Sequence, residues 1–155
     1  MRIERDDLTR PEVHALLAEH LENMHQLSPV DSVHALDLDG LRVPEITFWT
    51  VWSGAELLGC GALKELASDH GEIKSMRTPA AKRRRGAARY VLEHIIREAT
   101  ERGYRHLSLE TGSSQTFDAA HRLYLSAGFQ YCGPFGSYTE DPNSRFLSMV
   151  LPVVD

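Results

Sequence analysis

The sequence predicts an α/β fold: a mixed, mostly antiparallel central sheet flanked by helices. Three observations carry this reading. Residues 46–77 hold three strand-like segments joined by tight turns. Residues 86–102 form one long amphipathic helix, with Ala88, Val91, Leu92, Ile95, Ile96 and Ala99 on a single stripe. A strand, a second helix and closing strands follow, an order that suits helices packed on a sheet.

The elements can be justified in chain order. Residues 1–6 read as a short strand. Thr9-Arg10-Pro11-Glu12 opens a helix, with Thr9 as cap, Pro11 in the first turn and Glu12 completing a capping box. Val13, Leu16, Leu17, His20, Leu21 and Met24 then recur at helical spacing, and Ser28-Pro29 ends the run. Val33 to Asp37 suits one short helical turn, and Asp39-Gly40 marks a turn. Ile46 to Trp52 is rich in aromatic and β-branched residues and reads as a buried strand. Ser53-Gly54 turns it into a partner from Glu56 to Leu66. Glu72 to Arg77 is a third strand after a break at His70-Gly71. Gly103 stops the long helix. Arg105 to Glu110 is a strand, Phe117 to Ser126 a helix ended by Gly128, and Phe129–Cys132 and Phe146–Leu151 the last strands.

A length of 155 residues fits one domain spanning 1–155. No apolar run approaches the roughly 20 residues that span a bilayer. The start, Met1-Arg-Ile-Glu-Arg-Asp-Asp, lacks the apolar core of a signal peptide, so a cytoplasmic location is expected, with no membrane partner. Cys60 and Cys132 both lie in apolar stretches and read as buried thiols. The eight histidines are scattered, no Cys-x2-Cys accompanies them, and no metal is expected. A net charge of −5 argues against nucleic acid as a partner.

One segment departs from that acidic balance. Lys82-Arg83-Arg84-Arg85-Gly86-Ala87-Ala88 joins a strand directly to the long helix. The first amides of a helix lack internal partners, and the helix dipole is positive there. Small residues leave that backbone open to close approach, and arginines add charge-assisted bonds to phosphate oxygens. The segment reads either as a pyrophosphate site or as a solvated basic helix start. It is neither a P-loop nor a dinucleotide fingerprint, for want of Gly-Lys-Ser/Thr and of further glycines.

Arg83-x-x-Gly86-x-Ala88 resembles the Gln/Arg-x-x-Gly-x-Gly/Ala signature of the GNAT superfamily of N-acetyltransferases. Ala120-x-x-Leu123-Tyr124-x-x-x-Gly128-Phe129 resembles its second signature, and Glu93 to Glu110 the helix, Gly-Tyr turn and strand between them. The likeness covers about residues 46–151, and the first third by topology. Phe117 departs from it, since many relatives carry asparagine there. The resemblance implies acetyl-CoA as cosubstrate, pantetheine on main-chain groups of Met76, Arg77 and Thr78, and pyrophosphate on the amides of Arg84, Arg85, Gly86, Ala87 and Ala88. Lys82 or Arg83 would reach CoA phosphates. An amine would attack the thioester directly, with no covalent acyl-enzyme.

Such a transfer needs a proton acceptor for the amine and a donor for the leaving thiolate. Tyr124, matching the family's tyrosine, is the candidate acid; otherwise it is a packing aromatic. Glu72, eleven residues before Arg83, lies close to where the histone acetyltransferase branch carries its base; otherwise it is an exposed strand glutamate paired with Lys74. Alternation sets Glu72, Lys74 and Met76 on one face. Glu110 is a second candidate base, water a third, and His34 and His121 weaker ones. Covalent catalysis by Cys60 or Cys132 would need a paired histidine that nothing in the sequence locates. The acceptor, a small-molecule or peptide amine, would be gripped by about residues 24–45, with Asp31, His34, Asp37 and Asp39, and 133–145, with Phe135, Tyr138, Glu140 and Asp141. The alternative function is a CoA-binding regulatory module without turnover. Either form would be a monomer or homodimer.

Overall fold

The computed structural model describes residues 1–33 and 36–153. Its elements in chain order are β1 (Arg2–Arg5), α1 (Pro11–Leu27), α2 (Leu38–Leu41), β2 (Ile46–Ser53), β3 (Glu56–Ala67), β4 (His70–Arg77), α3 (Ala87–Glu101), β5 (His106–Gly112), α4 (Asp118–Ser126), β6 (Gln130–Cys132) and β7 (Ser144–Val150). Short 3-10 turns cover Val30–Ser32, Ala80–Lys82 and Gln115–Phe117. The strands form one seven-stranded sheet in the order β1-β2-β3-β4-β5-β7-β6. Among the described residues, only β4 and β5 run parallel, joined by the α3 crossover; every other neighbour pair is antiparallel.

Each face of the sheet carries its own core. On one face, Val91, Leu92, Ile95 and Ala99 of α3 pack with Trp49, Val51, Leu63, Ile73, Leu107 and Leu147. On the other, Val13, Leu16 and Leu17 of α1 pack with Ile46, Phe48, Trp52, Cys60 and Ala62. Strict alternation along β2 sends its odd and even residues to opposite cores, which is why this strand reads as continuously apolar. Burying one side chain such as Leu92 or Ile95 contributes roughly 1.5–3 kcal/mol, so these faces hold the helices in place.

Several local expectations are corrected. The cap of α1 is Arg10, with no side-chain hydrogen bond, so neither the Thr9 cap nor the Glu12 capping box forms. The Thr9 hydroxyl donates to Asp7 Oδ1 at 2.6 Å instead. Asp39-Gly40 lies inside α2, capped by Asp37, which accepts from the Gly40 amide at 2.8 Å. The turn before α2 forms at Val30–Ser32; of the expected turn at 33–37, residues 34 and 35 lie outside the described residues and Val33, Leu36 and Asp37 are not helical. β4 begins at His70, so the break falls at Ser68-Asp69. Cys60 is buried, but Cys132 is exposed, because β6 is a three-residue edge strand whose one neighbour among the described residues is β7. Among the described residues, no helix is long and apolar enough to cross a membrane.

Candidate active site

The site originates in a defect of the sheet. The β4–β5 ladder runs from His70 opposite His106 to Ile73 opposite Leu109 and stops there. Beyond it, β5 turns its pairing to β7 alone and β4 to β3 alone. A bulge in β4 accompanies the split. Ala62 pairs with Lys74 and Cys60 with Arg77, so β4 carries one extra residue, and Ser75 takes a left-handed φ of 56°. The bulge reverses the alternation expected from sequence. Met76 turns to the α3 face, where its sulfur would lie 2.7 Å from a Cβ on Gly61 beside Ile95 and Val91. Glu72 and Lys74 stay on the α1 face. Arg77 joins them, donating to Glu19 Oε1 at 2.8 Å and Asn23 Oδ1 at 2.9 Å, both on α1.

A cavity of about 610 Å³ fills the opening. Its floor on one side is the loop into α3. Arg84 (φ 66°) and Gly86 (φ 83°) both hold left-handed backbone, and Gly86 caps α3 without any side-chain bond. A left-handed turn ahead of an uncapped helix start directs amides toward one concavity, favourable for an anion. Arg83, Arg84, Arg85, Gly86, Ala87 and Ala88 all line the cavity. Lys82 does not; it pairs with Glu56, which also accepts from Arg85 Nη1 at 2.7 Å. Those two cations hold the Glu56 carboxyl below the usual carboxylate range. Arg83 and Arg84 are therefore the basic side chains of this turn that Glu56 does not engage.

Tyr124 lines the same cavity from α4, with its ring edge-on to Phe129 at 5.8 Å. Burial raises the pKa of its phenol, so the hydroxyl stays protonated and able to donate. Glu72 is 3% exposed, so its reading as an exposed strand residue is corrected. Its Oε2 accepts from Lys74 Nζ at 3.2 Å and from Tyr138 Oη at 2.6 Å. Tyr138 Oη also accepts from Lys74 Nζ at 3.0 Å, closing a three-membered network. Burial and the Glu72 charge push the Tyr138 phenol pKa up.

Tyr138 was legible only as a polar aromatic in a loop; its partner lies 66 residues away, and no local spacing announces the contact. The two acceptor segments meet through Ser32 Oγ, which donates to Asp141 Oδ2 at 2.6 Å. Phe135 meets Tyr138 and Phe146 edge to face, Tyr138 lies tilted on Phe146, and the three rings hold the second segment on the sheet. Asp31, Asp37, Asp39 and Glu140 do not line the cavity, whereas Glu110 does and accepts from Ser144 Oγ at 2.8 Å. His121 is a buried structural residue, bonded through Nε2 to the Gly112 carbonyl at 2.8 Å. His34 lies outside the described residues. Cys60 donates to the Ser75 carbonyl, and burial pushes its thiol pKa up to about 12, the reverse of an activated nucleophile.

Comparison with known proteins agrees with this geometry. Residues 10–129 match the family described as the acetyltransferase (GNAT) family. The uncharacterized N-acetyltransferase YsnE of Bacillus subtilis (strain 168) is 59% identical over 151 residues, 97% of this chain and 100% of its own. A protein of Klebsiella pneumoniae subsp. pneumoniae described as a "putative acyl-CoA N-acyltransferase" superposes with a TM-score of 0.78 at 26% identity, over 97% of each chain. A GNAT family acetyltransferase of Elizabethkingia anophelis, solved with acetyl-CoA bound, gives a TM-score of 0.68 at 18% identity over 97% of each chain, a likeness of fold.

Proposed function

The chain belongs to the acetyltransferase (GNAT) family, and from that membership we infer that it moves the acetyl group of acetyl-CoA onto an amine by direct attack in a ternary complex. The observation that carries this reading is the split between β4 and β5, which leads into the left-handed turn at Arg84–Gly86 and the uncapped start of α3. The opening fits an extended thioester with a diphosphate at one end. Main-chain groups of Met76–Thr78 lie on a strand edge with no β5 partner among the described residues, which suits an amide-bearing chain such as pantetheine. The amides from Arg84 to Ala88 would take the pyrophosphate, with Arg83 and Arg84 adding charge.

In the transfer, the amine nitrogen bonds to the thioester carbonyl carbon, the carbon–sulfur bond breaks, and the sulfur leaves with its electron pair. Tyr124 donates its phenolic proton to that sulfur. Glu72 takes a proton from the amine, directly or through one water, while Lys74 and Tyr138 fix its carboxylate through Oε2. Glu110, on the facing strand edge, is the second candidate for this proton. The acceptor is a small-molecule or peptide amine, met in the cytoplasm. The test is free-thiol release from acetyl-CoA across an amine panel. Amine-dependent release supports the reading. Tight CoA binding with no release for any amine would point to a binding module instead.

A further inference from the structure

The cavity is lined by buried polar atoms that the transfer chemistry does not use. Among the described residues, His20 Nδ1, Ser75 Oγ and Arg77 Nε have no hydrogen-bond partner. All three residues line the cavity, and each is more than nine-tenths buried: His20 is 7% and Ser75 8% exposed, and the Arg77 side chain 9%. An unmade hydrogen bond on a buried polar group is costly, so three such groups lining one binding cavity point to a ligand that completes them.

Their chemistry narrows that group. Arg77 Nε bears a hydrogen and can only donate; its other two ends are occupied by Asn23 and Glu19. The Ser75 hydroxyl can donate from the bulge, whose φ of 56° displaces it from the regular alternation of β4. His20 is neutral near pH 7, because burial and the adjacent Arg77 charge lower its pKa to about 4. A neutral ring adds no charge and offers one N–H and one acceptor nitrogen, so Nδ1 can meet either kind of ligand atom according to the tautomer. Arg77 Nε and the Ser75 hydroxyl are thus two donors suited to acceptor oxygens, with the uncharged His20 ring beside them. Glu72, at the other end of the β4 segment, suits the ammonium or amine of the same molecule. Met24 and Leu27 of α1 also line the cavity.

We propose that the acceptor amine also carries a carboxylate, held by Arg77 Nε and Ser75 Oγ with His20 beside them, so that the substrate class is free amino acids and other amino-carboxylates. This rests on the acetyl-transfer reading above. The experiment uses matched triplets: an amino acid, its amide, and the same amine without the carboxyl group. Thiol release from acetyl-CoA is measured for the wild-type protein, Arg77→Lys and Ser75→Ala, with melting curves to verify folding.

The wild type prefers the acid over its matched amide by about ten- to a hundredfold in kcat/KM, the range for hydrogen bonds to a charged group. The preference arises in KM, and it falls toward one in either variant. Arg77→Lys keeps the charge and removes the fork, so its loss of preference reads the hydrogen bond and not the net charge. An amide or decarboxylated amine accepted as well as the acid by wild type overturns the proposal and leaves acetyl transfer standing, and this arm needs no variant. An acid preference that persists undiminished in both variants overturns the assignment of the site. Absence of thiol release with every member of every triplet overturns both readings.

Discussion

Replacing Gly86 separates the backbone contribution of the α3 turn from its electrostatics. Gly86 sits at φ 83°, and a Cβ built there would meet only Met1 Cε at 3.8 Å, an ordinary contact. Gly86→Ala therefore adds no clash; its cost is the left-handed conformation, about 1–2 kcal/mol. That lowers the melting temperature by a few degrees, at about 2–4 °C per kcal/mol for a chain this size. Gly86→Glu carries the same backbone cost, offset by about 0.3–1 kcal/mol for a carboxylate near a helix start. Both variants should fold, and the second should be no less stable. CoA affinity should separate them. A carboxylate about 4 Å from one phosphate charge is repelled by about 1 kcal/mol in water and about 4 kcal/mol at an effective dielectric of 20. Relative to Gly86→Ala, Gly86→Glu should bind CoA at least about fivefold more weakly, and up to about a thousandfold. Isothermal calorimetry at low salt measures the difference, which should shrink as salt is raised. Equal CoA affinity in the two folded variants would refute phosphate binding at this turn.

Three further outcomes follow from the site. Tyr124→Phe keeps the ring contact with Phe129 and removes the donor, so turnover should fall about 10²–10⁴-fold, with CoA affinity nearly unchanged; wild-type turnover would return Tyr124 to a packing role. Glu72→Gln should lower turnover most at low pH, where unprotonated amine is scarce; a variant as active as wild type there transfers the role to Glu110 or to water. His20 has a folded-state pKa lowered to about 4 from 6.5, so the unfolded chain binds its proton first as pH falls. The stability its neutral form provides is intact above about pH 6.5 and declines by about 1.4 kcal/mol per pH unit toward 4. Thermal melts should show that decline reduced in His20→Gln, and an equal decline in both proteins would contradict it.

What the sequence disclosed was whatever repeats with a period or sits next to its partner. The stripe Val91-Leu92-Ile95-Ala99 on α3 is buried as its 3.6-residue spacing requires, and Ala87 extends it by one turn. The turn at Arg83–Ala88 was legible because its chemistry is local: small residues, cations and a helix start adjoin in the chain. The bulge at Ser75 was not legible, since no residue type marks it, and it moved Met76 to the opposite face from Glu72. The Thr9 cap failed because α1 begins at Pro11, which puts Arg10 at the cap position and leaves Thr9 one residue outside the helix, its hydroxyl turned to Asp7. The Glu72–Lys74 pair is local and could be read; Tyr138, which completes it, and the cluster of His20, Ser75 and Arg77 exist only once α1, β4 and the 133–143 loop are brought together.

The central claim is direct acetyl transfer from acetyl-CoA to an amine held in the same complex. It is tested most directly by mixing the protein with excess acetyl-CoA, first alone and then with an accepted amine, while following free thiol, acetylated amine and intact protein mass together. The account predicts negligible thiol release and no acetylated protein before the amine is added. Afterwards, one acetylated amine should form for each thiol released. A burst of thiol without amine, matched by one acetyl group on the protein, would contradict direct transfer and assign the reaction to a covalent intermediate.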